Sequence, residues 1–155
     1  MSGKQHSTPF LLMVLFLAIQ GCSPGPRELQ YGQEECSHCR MMLTEPEYAS
    51  QIVMSRGRVY AFDSIECMIA YKTEHESPEN IHSLWVPDFS GNGGWLNAQE
   101  AYFLRSDTLR SPMGLYLSAH ANEEGADRLL EQYGGERMNW IQAGDYVWTE
   151  WGLNR

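Results

Sequence analysis

No run of lysine or arginine occurs anywhere along this chain. Lys and Arg together number 11 against 20 Asp and Glu, for a formal net charge of −9. Phosphate contacts demand clustered cations, so a nucleic-acid partner is excluded. Also missing is an apolar run long enough to span a bilayer, which takes about 20 residues. The run Phe10 to Ile19 has only the length of a secretory h-region, about ten residues. Cysteine is sparse, at four, too few for a disulfide-dense scaffold. What is present suffices for a core: the chain is 43% hydrophobic and 12% aromatic over 155 residues, which excludes disorder throughout and fits one domain or two very small ones.

The amino terminus reads as an address. A polar lead carrying Lys4 precedes the apolar run, which ends in Ile19-Gln20-Gly21-Cys22. An aliphatic residue three before a cysteine, with a small residue directly before it, resembles a bacterial lipobox. That resemblance implies a signal peptide over residues 1–21, cleavage before Cys22 and a lipid on that cysteine. It also implies a protein of the cell envelope, membrane-anchored and facing the periplasm or exterior. The rival reading is an ordinary signal peptide with an incidental cysteine. Residues 22–35, opening with Ser23-Pro24-Gly25-Pro26, read as a flexible tether. With Cys22 acylated, Cys36, Cys39 and Cys67 remain. An odd number of thiols in an oxidising compartment argues against a disulfide framework and for thiols kept for chemistry.

The chemistry centres on Cys36-Ser37-His38-Cys39-Arg40-Met41-Met42. A C-x-x-C spacing lets two sulfurs converge across a tight turn, which suits a metal ion or a disulfide. Thioether sulfur is a poor zinc ligand and a good one for soft Cu(I), so Met41 favours copper. Met113 sits in the turn Ser111-Pro112-Met113-Gly114, where packing gives little reason for a large apolar side chain. Met54, Met138 and Met68 lie in strand-like runs or on a helical stripe and read as core. Cys67, near a helix start, should feel the positive end of the helix and have a lowered pKa; the plainer alternative is a buried small hydrophobe. His38, His82 and His120 are weaker ligand candidates.

The pattern predicts a hairpin from Tyr48–Met54 and Arg58–Phe62 around a glycine-containing turn. A helix follows, opened by Asp63 as N-cap with Glu66 in capping-box position. His82 to Phe89 reads as a strand which Pro87 places at an edge. Further strands are expected at Ala101–Arg105, near Leu115–Ser118 and at Met138–Ile141. A second helix should run from Glu123 to Tyr133 between Asn122 and Gly134-Gly135. Strand, strand, helix thus occurs twice, which suggests a duplicated α+β fold over residues 36–141 with an aromatic tail over 142–155.

Taken together, Cys36-x-x-Cys39-x-Met41, Phe62-Asp63 with Cys67-Met68, Val86-x-Asp88, Trp95-x-x-Ala98 and Ser111-Pro112-Met113-Gly114 resemble the NosL family over roughly Cys36 to Trp140. These are lipid-anchored copper chaperones for nitrous oxide reductase. The resemblance implies two related β-hairpin/helix halves akin to the organomercurial-lyase core. It implies a Cu(I) site drawn from Cys36, Cys39, Met41, Cys67, Met68 and Met113. It also implies hand-over to the apo reductase, with an ABC-type maturation complex as a further partner, and no enzymatic turnover. Arg40 departs from the glycine common between the second cysteine and the methionine. Three rivals compete. One is a structural zinc site from the three cysteines and one histidine; another is a thiol oxidoreductase using Cys36 and Cys39. The third is an enzyme cleaving carbon–metal bonds with Cys39, Cys67 and Asp63.

Overall fold

Buried β-branched and apolar residues separated by a short polar turn set the first hairpin. β1 (Ser50–Met54) and β2 (Val59–Phe62) pair antiparallel, and the turn closes through Gly57 at φ +82°, whose N–H donates to the Met54 carbonyl. The computed structural model describes residues 24–75, 77–91 and 94–153. The expected signal peptide over residues 1–21 and the expected lipidation at Cys22 fall outside the described residues. Helix α1 (Ile65–His75) follows β2 almost at once, and β3 (Ile81–Pro87) returns to pair with β1 on its other side. β4 (Trp95–Asn97) adds to β3. The sheet order is therefore β2-β1-β3-β4.

The second half repeats this plan. β5 (Tyr102–Arg105) and β6 (Leu117–His120) form an antiparallel pair, α2 (Glu123–Tyr133) follows, and β7 (Glu136–Met138) pairs back onto β5. The order β6-β5-β7 matches β2-β1-β3 strand for strand. Hairpin, helix and returning strand thus occur twice, and the expected α+β architecture of two related halves is observed. Helix α2 has the predicted limits: the Asn122 side chain accepts from the Gly125 N–H, and the Gly134 N–H donates to the Leu130 carbonyl.

Several expectations need correction. The last strand covers Glu136–Met138 and a helix opens at Trp140, so no strand runs over Met138–Ile141. Pro87 does not mark an edge strand; β3 lies between β1 and β4, and Pro87 is its last residue, where a missing N–H costs little. The aromatic tail does not start as a separate segment at residue 142: helix α3 (Trp140–Trp151) begins before it, capped by a reciprocal Asn139–Gln142 box and ended by Gly152. It belongs to the fold, because Ala143 and Val147 are buried and the Trp148 Nε1–H donates to Thr73 Oγ1 of α1 at 2.7 Å. Nor is the stretch from Arg27 onward a tether. Gln51 clasps the Arg27 backbone with two hydrogen bonds, Leu29 is buried, and the Gly32 N–H donates to the Leu43 carbonyl. Finally, Asp63 is not the cap of α1. Ser64 Oγ accepts from the Cys67 N–H at 3.2 Å, which releases the Asp63 carboxylate for another partner.

Candidate metal centre

The segment Cys36–Met41 folds into a tight loop by its own backbone. The Cys36 N–H donates to the Met41 carbonyl at 2.7 Å, and the Arg40 N–H donates to the Cys36 carbonyl at 3.1 Å. The Ser37 N–H donates to the Ala61 carbonyl of β2 at 2.8 Å. This ties the loop beside the point where β2 passes into α1. Arg40 closes the loop at φ +67°, the left-handed region that costs a side-chain-bearing residue about 1 kcal/mol. The departure from glycine noted in the sequence is therefore a local strain. Arg40→Gly is expected to stabilise the fold by about 0.5–1 kcal/mol, raising Tm by roughly 2–4 °C; differential scanning calorimetry checks this.

Loop and helix start together bring Cys36, Cys39, Asp63 and Cys67 to one point. Each offers one donor atom, and the four atoms lie within 4.8 Å of one another. Cys36 and Cys67 are fully buried, Asp63 nearly so, and Cys39 is half-buried at the entrance. All three cysteines are free thiols.

The electrostatics of the cluster are asymmetric. Cys36 is lowered to about 7, chiefly because the Cys67 thiol donates to its sulfur. Backbone N–H groups of Asp63, Cys39 and His38 also hold the thiolate, against the cost of burial. Cys39 is pushed up to about 12, mainly by burial, and its thiol donates to Asp63 Oδ2 at 3.2 Å. Cys67 is raised because its proton bonds Cys36, with burial adding to the effect. The expectation of a lowered Cys67 is thus reversed. Its backbone N–H is spent on the Ser64 cap, and the neighbouring Cys36 takes the negative charge. One thiolate sits ready, and the other two thiols hold protons that an incoming cation can displace.

Asp63 supplies a further clue. Its Oδ1 is buried without a hydrogen-bond partner, and none of the ion pairs among the described residues includes it. A buried carboxylate oxygen left unpaired is costly. The carboxylate contributes a donor to the thiol cluster, and a cation held there would ease the cost of its unpaired oxygen. The sequence grouped Asp63 with Cys39 and Cys67 only in the carbon–metal-cleaving alternative and otherwise took it as a helix cap, so it was absent from the expected ligand set.

The thioethers fall in different surroundings. Met41 follows the pair closely, its N–H 3.5 Å from Cys39 Sγ, yet the residue is 49% exposed. Met42 is exposed beside it. Met68 is fully buried in the core. Met113 is half-buried against the core in its predicted turn, which closes with the Gly114 N–H on the Ser111 carbonyl and Gly114 at φ +84°. Met54 and Met138 are core, as expected.

Glu66 carries a role that the sequence did not reveal. It is not part of a capping box. Its fully buried Oε1 receives the Ser111 hydroxyl and the Leu117 N–H, and Ser111 Oγ in turn accepts from the Tyr116 N–H at 2.9 Å. Glu66 therefore clamps the Met113 turn to the same helical turn that bears Cys67. Burial raises its pKa.

The histidines stay apart from the sulfurs. His120 is buried, bonded to Ser118 Oγ at 3.1 Å, and lowered to about 4 by burial. His82 is exposed beside Ser83. The Nδ1 of His38 is turned to Glu74 at 3.6 Å. The fourth donor near the thiols is therefore a carboxylate, and the imidazole expected for a zinc site is not in the group.

A family model described as NosL matches residues 28–145. The chain is 26% identical over 140 residues to the copper-binding lipoprotein NosL of Stutzerimonas stutzeri, a match covering 81% of this chain and 73% of that protein. It resembles the crystal structure of the copper chaperone NosL from Shewanella denitrificans with a TM-score of 0.65. That likeness covers 76% of this chain and 96% of the other at 22% identity, and it speaks for a shared fold.

Proposed function

Because the chain belongs to the NosL family, we propose that it is a carrier of Cu(I), loaded at the thiol cluster and unloaded by ligand exchange. The observation that carries this reading is the convergence of Cys36, Cys39 and Cys67 with the carboxylate of Asp63, whose Oδ1 is buried without a hydrogen-bond partner. A monovalent soft ion is satisfied by two or three sulfurs. Cys36 offers a thiolate near neutral pH, and the ion's arrival displaces the protons of Cys39 and Cys67.

Exposed Met41 is a weak donor at the rim. It can hold an incoming ion before the thiolates close on it, or release one as an acceptor's ligand enters. Half-buried Met113, in the turn that Glu66 ties to α1, would serve as a second thioether. Buried Met68, next to Cys67 on α1, contributes by anchoring that helix in the core.

The cargo would pass to apo nitrous oxide reductase for its copper centres, with an ABC-type maturation complex as a further partner. A lipid on Cys22 would hold the carrier at the periplasmic or outer face of a membrane. No helix of the described residues is long and apolar enough to cross one. Confinement to a surface raises the carrier's concentration near an anchored recipient.

A thiol oxidoreductase is disfavoured by which sulfur is activated: buried Cys36 has the lowered pKa, whereas the accessible Cys39 holds its proton. Zinc is the second reading that a specific observation favours, since the hard oxygen of Asp63 beside three thiolates makes a tetrahedral set. Thioether substitution separates the two. Met41→Leu with Met113→Leu is expected to weaken Cu(I) retention by about tenfold and to slow transfer to the apo reductase. The readouts are competition against a Cu(I) chelator and recovery of reductase activity. Unchanged copper affinity and transfer in the double variant would remove the thioethers from the account.

A further inference from the structure

A second donor group lies on the outside of the same loop. His38, Glu74 and His75 each offer one donor atom, all within 4.8 Å of one another. His38 Nδ1 is 3.6 Å and His75 Nε2 is 3.7 Å from the same Glu74 oxygen, Oε2. These separations are long for hydrogen bonds, which close at about 2.7–3.2 Å. They are close to the spacing of ligands around an ion: two donors about 2.1 Å from a tetrahedral metal stand roughly 3.4 Å apart.

The group is drawn from the cysteine loop and from α1, and both histidine rings are held by ring contacts. The His38 ring stacks on Trp151 of α3, with centroids 6.1 Å apart and planes within 10°. The His75 ring packs on Tyr71 at 4.7 Å. Glu74 and His75 occupy the last turn of α1, where the outward carbonyls favour a cation. The three side chains are half-buried to exposed, so an ion can reach them from solvent. Arg40, Ser37 and Tyr60 line the hollow beside His38 and His75. The Arg40 charge opposes a cation, and the Glu74 carboxylate offsets it.

We propose that His38, Glu74 and His75 form a second metal site, one that takes a divalent borderline ion such as Zn(II) on two imidazoles and a carboxylate, leaving one coordination position open. The donors are nitrogen and oxygen, whereas those of the thiol cluster are mainly sulfur, so the two sites prefer different ions. His38 joins them covalently: its ring belongs to the outer site, and its backbone N–H helps hold the Cys36 thiolate. This site stands on its own donors and does not depend on the Cu(I) reading.

The test is a titration of the full chain, in detergent under reducing conditions, with Zn(II) alone as the probe. Ring-nitrogen NMR of the histidines is the readout. The ring nitrogens of His38 and His75 should move to metal-bound positions, while those of His82 and His120 stay in place. His75→Ala, a change at an exposed position, should abolish the His38 response and lower the zinc content by one ion per chain. Glu74→Gln should weaken binding at this site by about tenfold. Zinc taken up by the thiols with the His75 nitrogens unmoved at several equivalents would overturn the proposal, as would unchanged zinc content in His75→Ala.

Discussion

Cys36→Ser is expected to weaken Cu(I) binding by about a thousandfold, or roughly 4 kcal/mol. Its thiolate is the only one of the three that forms near neutral pH, being lowered to about 7, whereas Cys39 is pushed up to about 12 and Cys67 is also raised. Without it, the ion must displace a tightly held proton for its first strong bond. Competition with a chromophoric Cu(I) chelator measures the loss, with circular dichroism confirming that the fold survives.

The same asymmetry sets the pH dependence of loading. Above about 7, binding displaces the protons of Cys39 and Cys67 but none from Cys36. Apparent affinity in the wild type should therefore rise by about two orders of magnitude per pH unit with all three sulfurs bound, about one with two, and more steeply below 7, where the Cys36 proton is also displaced. A slope of zero would mean that the thiols are not the ligands.

Glu66→Ala is expected to destabilise the protein by about 3–4 kcal/mol. It leaves a cavity at the start of α1 and strips Ser111 Oγ and the Leu117 N–H of their acceptor. Glu66→Gln, which keeps the volume and an acceptor oxygen, should cost about 1 kcal/mol. Chemical denaturation at pH 7 checks both values.

The sign of the pH effect follows from burial, which raises the Glu66 pKa above its ordinary 4.5. As pH climbs past 4.5, the unfolded chain releases this proton while the folded protein keeps it. Stability from this group is thus fully present below the unfolded value and is lost as pH rises toward the folded one. Glu66→Gln should flatten that decline. His120 acts in the opposite direction. Lowered to about 4, it contributes stability above 6.5 that is lost as pH falls through 4.

Much of the site was legible because its geometry is local. The C-x-x-C loop and a cysteine in the first turn of a helix each followed from spacing and capping residues. What escaped was decided over long range. Asp63 and Ser64 are adjacent, and either can cap a helix, so sequence alone did not choose between them. The choice was made by Cys39, 24 positions away, which engages Asp63 and leaves the cap to Ser64. Glu66 stood where a capping box places an acid, yet its partner is Ser111, 45 positions on.

The same holds for the limits of the fold. Arg27 onward is polar and looks like a linker until Gln51 is found paired with its backbone. Helix α3 was hidden by an aromatic composition with modest helix propensity. Its Asn139-x-x-Gln142 start was nevertheless present as a readable signal. The duplication was legible from the order of elements alone, because two capped helices each follow two strands.

The most direct measurement of the central claim is X-ray absorption at the copper edge on the full chain, loaded anaerobically with Cu(I). A first shell of two or three sulfurs is predicted, losing a sulfur in Cys36→Ser and leaving room for one oxygen from Asp63. A shell dominated by nitrogen, or one unchanged when Cys36 is replaced, would contradict it.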